Sequence, residues 1–326
     1  MSITVAGGLK RSGAVLLVSC YELGHQPQAV ALPLAFLERA GYAPAALDLA
    51  VQSLDMQKIR EARFVGISVP MHTALRLGVK VARRIREVNP GCHVCFYGNY
   101  ALLHAESLLH RLADSILGGE FEARLVELVD ALGEGRCLEP GLPARLLPAL
   151  ERLDFPVPSR RALPGIEHYA HLDHGGRHRV AGHVEASRGC LHRCRHCPIP
   201  AVYAGRLFVV PRESVLEDVR NQVRSGAAHI TFGDADFLNG PSHSLRVVRA
   251  MHEEFPDLSF DFTAKVEHVL AHRRLMPELG RLGAVFMVTA VESLSDRVLS
   301  ILDKRHTRAD VFDARAILRD AGIAMR

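Results

Sequence analysis

The sequence predicts an α/β chain: an N-terminal doubly wound parallel sheet followed by a partial (β/α) barrel, incomplete at its C-terminal end. Three observations predict it. Short apolar runs alternate with helical-period stretches from residue 13 to about 135, a proline-rich stretch interrupts them, and the alternation resumes near residue 181. The expected organisation is a sheet domain over 1–140, a Pro/His-rich linker over 141–180 and the partial barrel over 181–326.

In the first stretch, Ala14 to Val18 is an apolar run of the kind a buried parallel strand needs. The spacing predicts a helix over 29–40, stopped by Gly41, with Pro33 in its first turns. Strands are predicted at 45–49, 64–69, 93–97 and 114–117. Leu77, Val81, Ile85 and Val88 give one helix its apolar stripe, and Phe121, Leu125, Leu128 and Leu132 another. Doubly wound sheets bind ligands beyond the carboxyl ends of their strands, so the candidate loops are 19–28, 70–73, 98–102 and 118–122.

The join carries Pro143, Pro148, Pro156, Pro158 and Pro164, a composition that makes an extended connector. His168, His171, His174, His178 and His183 follow at irregular spacing and read as a solvated or substrate-facing loop. The barrel half then gives strands at 183–187, 229–232, 259–263, 284–288 and 323–325. Helices are predicted at 212–225, 244–254, 296–302 and 309–321.

Length and charge bound the function. The 326 residues suffice for two domains, and 48% of them are hydrophobic. The net charge of +4, without a long basic run, does not indicate nucleic-acid binding. No apolar run is long enough to span a bilayer, and Met1 to Leu9 lacks the apolar length of a signal peptide, so a cytoplasmic location is expected.

The most specific feature is Cys190, Cys194 and Cys197, spaced C-x3-C-x2-C. Three thiolates so placed can hold three corners of an iron–sulfur cube and leave the fourth iron open. A zinc site completed by His192 or His196 is the alternative metal reading. A disulfide is disfavoured by the odd count of 7 cysteines and the absence of a secretory signal. Buried structural cysteines are the remaining alternative.

These cysteines, Gly233-Asp234 after one strand and Val291-Glu292-Ser293 after another resemble the radical S-adenosylmethionine (SAM) superfamily. The resemblance implies a 4Fe-4S cluster on Cys190, Cys194 and Cys197, and SAM held by Gly233, Asp234, Asp236, Glu292 and Ser293. It implies reductive cleavage of SAM to a 5′-deoxyadenosyl radical, with electrons from a donor such as flavodoxin or ferredoxin. His196 stands where the family often has an aromatic residue. Lys265, at a strand end, is placed to meet a carboxylate or to be solvated.

Gly98-Asn99-Tyr100-Ala101, Gly118 to Glu122 and the prolines of 153–164 resemble the cobalamin-binding, flavodoxin-like domain and linker that precede many radical SAM domains. That implies cobalamin near Gly98, Gly118 and Glu120, and methyl transfer or rearrangement on a substrate the sequence does not name. His25 is a minor candidate for cobalt ligation. Two rivals stand: a methylthiotransferase-type radical SAM enzyme, which needs a second cysteine triplet that Cys20, Cys92, Cys95 and Cys137 do not form, and a non-catalytic cobalamin or metal sensor.

Overall fold

The computed structural model describes residues 8–109, 111–136 and 148–326. Two compact units divide between His168 and Tyr169.

The first unit is a five-stranded parallel sheet: β1 (Val15–Ser19), β2 (Ala45–Asp48), β3 (Phe64–Ser68), β4 (His93–Tyr97) and β5 (Ser115–Leu117). The strand order β2-β1-β3-β4-β5 is flavodoxin-like. β1, β3 and β4 are buried along their whole length because both faces are covered. The strand period of two divides their side chains. Leu16, Val18, Val65, Ile67 and Phe96 pack toward Val81, Ala82 and Ile85 of the helix His72–Val88. Val15, Leu17, Phe64 and Tyr97 pack toward the helices Gln28–Arg39 and Glu122–Gly133.

Elements the periodicity did not reveal are short. Met56–Glu61 is one and a half turns long and starts where the Asp55 carboxylate accepts the N–H groups of Gln57 and Lys58. Asn99–Leu103 and Ala105–Leu109 are helical where a binding loop was expected at 98–102.

The proline-rich join falls partly outside the described residues, Pro143 included. From Pro148 to His168 it packs on the first unit. Arg160 donates to Gln26 and Gln28 at 3.0 and 2.6 Å, Ser159 N–H bonds the Ala31 carbonyl, and Arg161 pairs with Glu38. These contacts run along the helix Gln28–Arg39 from its start to Glu38.

The second unit starts with a hairpin, β6 (His171–His174) and β7 (Arg177–Val184), where the sequence suggested a histidine-rich loop. The two-residue turn Gly175-Gly176 has positive φ at both positions, as a type I′ hairpin needs. Cross-strand stacking of His171 on His178, and the His178–Asp173 pair, account for part of the histidine content. β8 (Ser187–Gly189) and β9 (Leu207–Val209) form a small antiparallel ribbon.

β10 (His229–Phe232), β11 (Ser259–Thr263), β12 (Ala284–Val288) and β13 (Ala324–Met325) continue the main sheet in parallel, with the order β13-β12-β11-β10-β7-β6. The helices Arg212–Arg224, Pro241–Glu254 and Arg308–Asp320 fall where predicted, and Val266–Ala271 and Met276–Arg281 are additional. Phe232, Phe237, Phe260 and Phe262 form the buried aromatic core on one face. The alternate positions are polar: His229 bonds Ser259 at 2.8 Å and Asp261 at 2.7 Å, and Thr231 donates to Asp261 at 2.6 Å. A buried polar chain of this kind holds register because each member has its partner.

Candidate functional site

The site lies beyond the carboxyl ends of β7, β10, β11 and β12. It begins with the cysteine loop. The β8–β9 ribbon carries the chain to Cys190, whose N–H bonds the Arg206 carbonyl at 3.1 Å. Gly189 has φ +77°, and a Cβ there would collide with that same carbonyl. Glycine is therefore required where the ribbon turns into the loop. A tight turn, Cys197 N–H to the Cys194 carbonyl at 3.2 Å, closes the other end before the helix Ile199–Tyr203.

All three cysteines are free thiols. Burial raises the pKa of both Cys190 and Cys197. Cys190 is raised further by Cys197, and Cys197 by Cys194. Thiols gathered on one short loop are what a cationic centre deprotonates and binds. The donor set fits an iron–sulfur cluster. Asn239 fixes its first member: the side-chain N–H donates to Cys190 Sγ at 3.3 Å while the amide oxygen accepts Leu191 N–H.

Asp234 is fully buried behind the loop. Its carboxylate accepts the Ala186 N–H at 2.9 Å and the Ser187 hydroxyl at 2.5 Å. Burial pushes its pKa up to about 7, against those two hydrogen bonds. Asp234 thus holds the strand end that leads into the cysteine loop. The adjacent Gly233 leaves room for the ring of His183, which a Cβ would strike.

Asp236 caps the turn Phe237–Asn239 through Leu238 N–H and also accepts Lys265 N–H at 3.1 Å. His268 Nδ1 lies 3.0 Å from it and His192 Nε2 3.5 Å. Burial works to raise its pKa, but the facing imidazoles and the Lys265 N–H hold it below the ordinary carboxylate range. Lys265 meets a carboxylate, with Nζ 3.1 Å from Glu267.

Glu292 is the last element. It has φ +65°, a left-handed conformation that costs a β-carbon-bearing residue on the order of 1–3 kcal/mol. Its carboxylate pairs with His196 at 3.1 Å and lies 3.6 Å from the buried ammonium of Lys304. Ser293 uses its hydroxyl to accept Ser295 N–H at 3.1 Å, just before the helix Asp296–Ile301.

The fold therefore brings Cys190, Cys194, Cys197, Gly233, Asp234, Asp236, Glu292 and Ser293 to strand ends of one unit. Sequence reasoning missed Asn239, Glu267, His268, Lys304 and His306. Lys304 and His306 lie in a short loop closed by the Thr307–Asp310 capping box, whose spacing was readable. His306 is buried, and burial lowers its pKa against contacts with the Lys304 and Val291 backbone.

In the first unit, Gly98, Gly118 and Glu120 lie at the carboxyl ends of β4 and β5. Their small size serves the chain itself. A Cβ on Gly98 (φ +107°) would sit 2.8 Å from the Val69 carbonyl, one on Gly118 would sit 2.8 Å from Leu102, and one on Gly119 would collide with the Ala149 carbonyl. The Glu120 N–H bonds that carbonyl at 2.7 Å. Ser68 and Tyr97 are register partners at the ends of β3 and β4; both hydroxyls are buried, and Ser68 acts on the Tyr97 hydroxyl against the upward pull of burial. His25 lies in the loop after β1, where its N–H bonds the Glu22 carbonyl.

Residues 184–325 match the family described as the radical SAM superfamily. The second unit is a radical SAM domain. Its family carries a 4Fe-4S cluster and SAM. An uncharacterized methyltransferase of Pyrococcus horikoshii is 25% identical over 263 residues, 75% of this chain and 54% of that protein. A putative methylthiotransferase of Methanocaldococcus jannaschii is 24% identical over 240 residues, covering 68% and 49%. The chain spans about half the length of these two relatives.

Among solved structures, the radical SAM methyltransferase TsrM of Kitasatospora setae, with tryptophan and a SAM analogue bound, superposes with TM-score 0.76 at 18% identity, over 96% of this chain and 66% of that one. The cobalamin-dependent SAM radical enzyme OxsB gives 0.74 at 17% identity, over 96% and 48%. These likenesses support the fold: a flavodoxin-like parallel sheet and a curled half-barrel.

Proposed function

We propose that the chain is a cobalamin-dependent radical SAM methyltransferase acting on a substrate that its residues do not identify. The observation that carries this reading is the loop of three free cysteines spaced C-x3-C-x2-C, entered through the Cys190 N–H to Arg206 bond and closed by the Cys197 N–H to Cys194 turn, at the carboxyl end of a half-barrel of this family. The flavodoxin-like fold of the first unit, and its likeness to TsrM and OxsB, support cobalamin.

Once bound, the cluster supplies single electrons to SAM, and cobalamin carries the methyl group. The chain supplies position. Cys190, Cys194 and Cys197 hold the cluster, and Asn239 fixes the Cys190 sulfur. Gly233, Glu292 and Ser293 form the rim proposed to receive SAM, and Asp234 and Asp236 hold that rim in place. Lys304 and His196 keep the Glu292 carboxylate directed and partly neutralised. In the first unit, the backbone of Gly98, Gly118 and Glu120 at the carboxyl ends of β4 and β5 is the proposed cobalamin rim. A flavodoxin or ferredoxin is the proposed electron donor, and the cytoplasm the proposed location.

The methylthiotransferase reading draws on the M. jannaschii relative. It is weaker here because burial pushes Cys20, Cys92 and Cys95 to about 12, and each lies in the core of the first unit as an inert thiol. Cys137 lies outside the described residues. The deciding experiment is anaerobic reconstitution of the full chain, followed by SAM and a reductant. About four irons and four sulfides per chain are expected, with formation of 5′-deoxyadenosine or, with cobalamin, S-adenosylhomocysteine. Cys194→Ala should abolish the iron; a variant that keeps its iron and sulfide sinks the assignment.

A further inference from the structure

We propose that His192, Asp236 and His268 form a second metal site, separate from the cysteine donors, that takes a single divalent transition ion with zinc as its expected occupant. The three donor atoms lie within 4.8 Å of one another. His192 Nε2 is 3.5 Å from Asp236 Oδ2, and His268 Nδ1 is 3.0 Å from the same oxygen. A tetrahedral zinc with bonds of about 2.0–2.1 Å holds its ligands about 3.3–3.4 Å apart, and the two measured separations bracket that value. The donor set, two imidazoles and one carboxylate, is that of open zinc and non-haem iron sites, which leave a position for water or substrate.

A second observation points to a ligand. His192 is nine-tenths buried, and its Nε2 faces Asp236 Oδ2 at 3.5 Å, too long for a well-formed hydrogen bond. A buried polar atom of this kind is costly unless something completes it. The other ring nitrogen of His192 faces a cation and, farther off, a carboxylate: Lys265 Nζ lies 3.3 Å from Nδ1. Glu267 Oε2 lies 3.8 Å from His192 Nδ1, on the far side of the ring. The Lys265 ammonium, 3.1 Å from Glu267, offsets that carboxylate, so the ion meets the single negative charge of Asp236.

Lys265 also sets the condition for binding. Its Nζ is 3.3 Å from His192 Nδ1, which places the ring hydrogen on Nε2 while the site is empty. For a metal to bind Nε2 the ring hydrogen must sit on Nδ1, so the Lys265 ammonium has to give way there and let the Glu267 carboxylate close in.

The site draws on three segments: the cysteine loop (His192), the β10 end (Asp236) and the helix after β11 (His268). Its occupancy would tie the cysteine loop to the far strand ends without using a thiol.

The test uses the full chain after cluster reconstitution, exchanged into one equivalent of zinc and desalted. About one zinc per chain should remain, with iron and sulfide unchanged. Zinc-edge X-ray absorption should show a first shell of nitrogen and oxygen at about 2.0–2.1 Å and no sulfur at about 2.3 Å. His268→Gln should weaken zinc binding at least tenfold while leaving iron content at the wild-type level. Sulfur in the zinc shell, equal zinc retention by His268→Gln, or no zinc at all would each overturn the proposal. The absorption measurement needs no variant, so a folding defect in His268→Gln does not blunt it. A failed zinc result leaves the cluster assignment intact, because iron is counted separately.

Discussion

The carboxyl edges of the two sheets are built from the same βα logic and finish differently. In the first unit the edge is closed by backbone: Gly98, Gly118 and Gly119 each admit a neighbouring carbonyl or Leu102. In the second, side chains fill the edge, with a web of Asp234, Asp236, Glu267, Glu292, three histidines and two lysines around the cysteine loop. A closed edge needs glycine because a carbonyl leaves no space. A web needs partners because each buried charge is costly alone. Damage to the first edge should therefore read out as lost stability, and damage to the second as lost ligand.

Two glycines with nearly the same backbone make the strongest test. Gly119 (φ +75°) and Gly189 (φ +77°) each lie against a carbonyl that a Cβ would strike. Gly119→Ala should cost the first unit roughly 3 kcal/mol or more, from left-handed strain plus the collision, as a lowered unfolding midpoint with cluster iron retained. Gly189→Ala should empty the cluster site with little change in the first unit's transition. Equal effects of both variants on iron would break the comparison.

The units should also respond oppositely to pH. In the first, burial pushes His93 down to about 4; it stacks on Phe64 and bonds Ser115. A depressed imidazole contributes stability that is present above its unfolded value near 6.5 and is lost as pH falls toward 4. In the second, Asp234 is raised to about 7. Its contribution is complete below about 3.8 and is lost as pH rises through 7. His93→Phe should flatten the acid side of the first transition, and Asp234→Asn the neutral side of the second, each by roughly 2–3 kcal/mol between pH 5 and 8. Domain-resolved hydrogen exchange at pH 5 and 8 separates them.

The same contrast explains what the sequence disclosed. The parallel strands of the first sheet and β10 to β13 of the second were legible because buried runs such as Val15–Ser19 and His229–Phe232 must be continuous or alternating. The cysteine loop was legible because chelation fixes spacing. The His168–His183 region was misread as a loop because histidines at irregular spacing hide a two-residue Gly175-Gly176 turn. Asn239, His268 and Lys304 were invisible for a different reason. Their partners lie 49 and 32 residues away across strand crossovers, and for Lys304 12 residues away across the helix Asp296–Ile301, and no local pattern records such a meeting.

Lys304 offers an intermediate effect. Its buried ammonium lies 3.6 Å from Glu292 and lowers the pKa of Cys197. Lys304→Met keeps the stem's packing and removes the charge, leaving Glu292 with His196 alone. SAM affinity, followed by calorimetry on the reconstituted chain, should fall about tenfold, the equivalent of about 1.4 kcal/mol, while iron stays bound. Unchanged affinity would place Glu292 outside the SAM rim.

The smallest effect belongs to Asn239. Its amide does two things at once, donating to Cys190 Sγ and accepting Leu191 N–H. A hydrogen bond to a thiolate sulfur stabilises the more negative, reduced cluster, so its loss should make the cluster harder to reduce. With a net worth of about 1 kcal/mol for one hydrogen bond, the midpoint should drop by about 40 mV in a one-electron titration. Asn239→Asp keeps the acceptor for Leu191 and removes the donor, so it should lower the potential without loosening the loop. Asn239→Leu removes both and should also lower iron retention. A potential that falls equally in both variants with full iron content would assign the whole effect to the N–H···S bond. An unchanged potential in Asn239→Asp would leave Asn239 as a clamp on the loop alone.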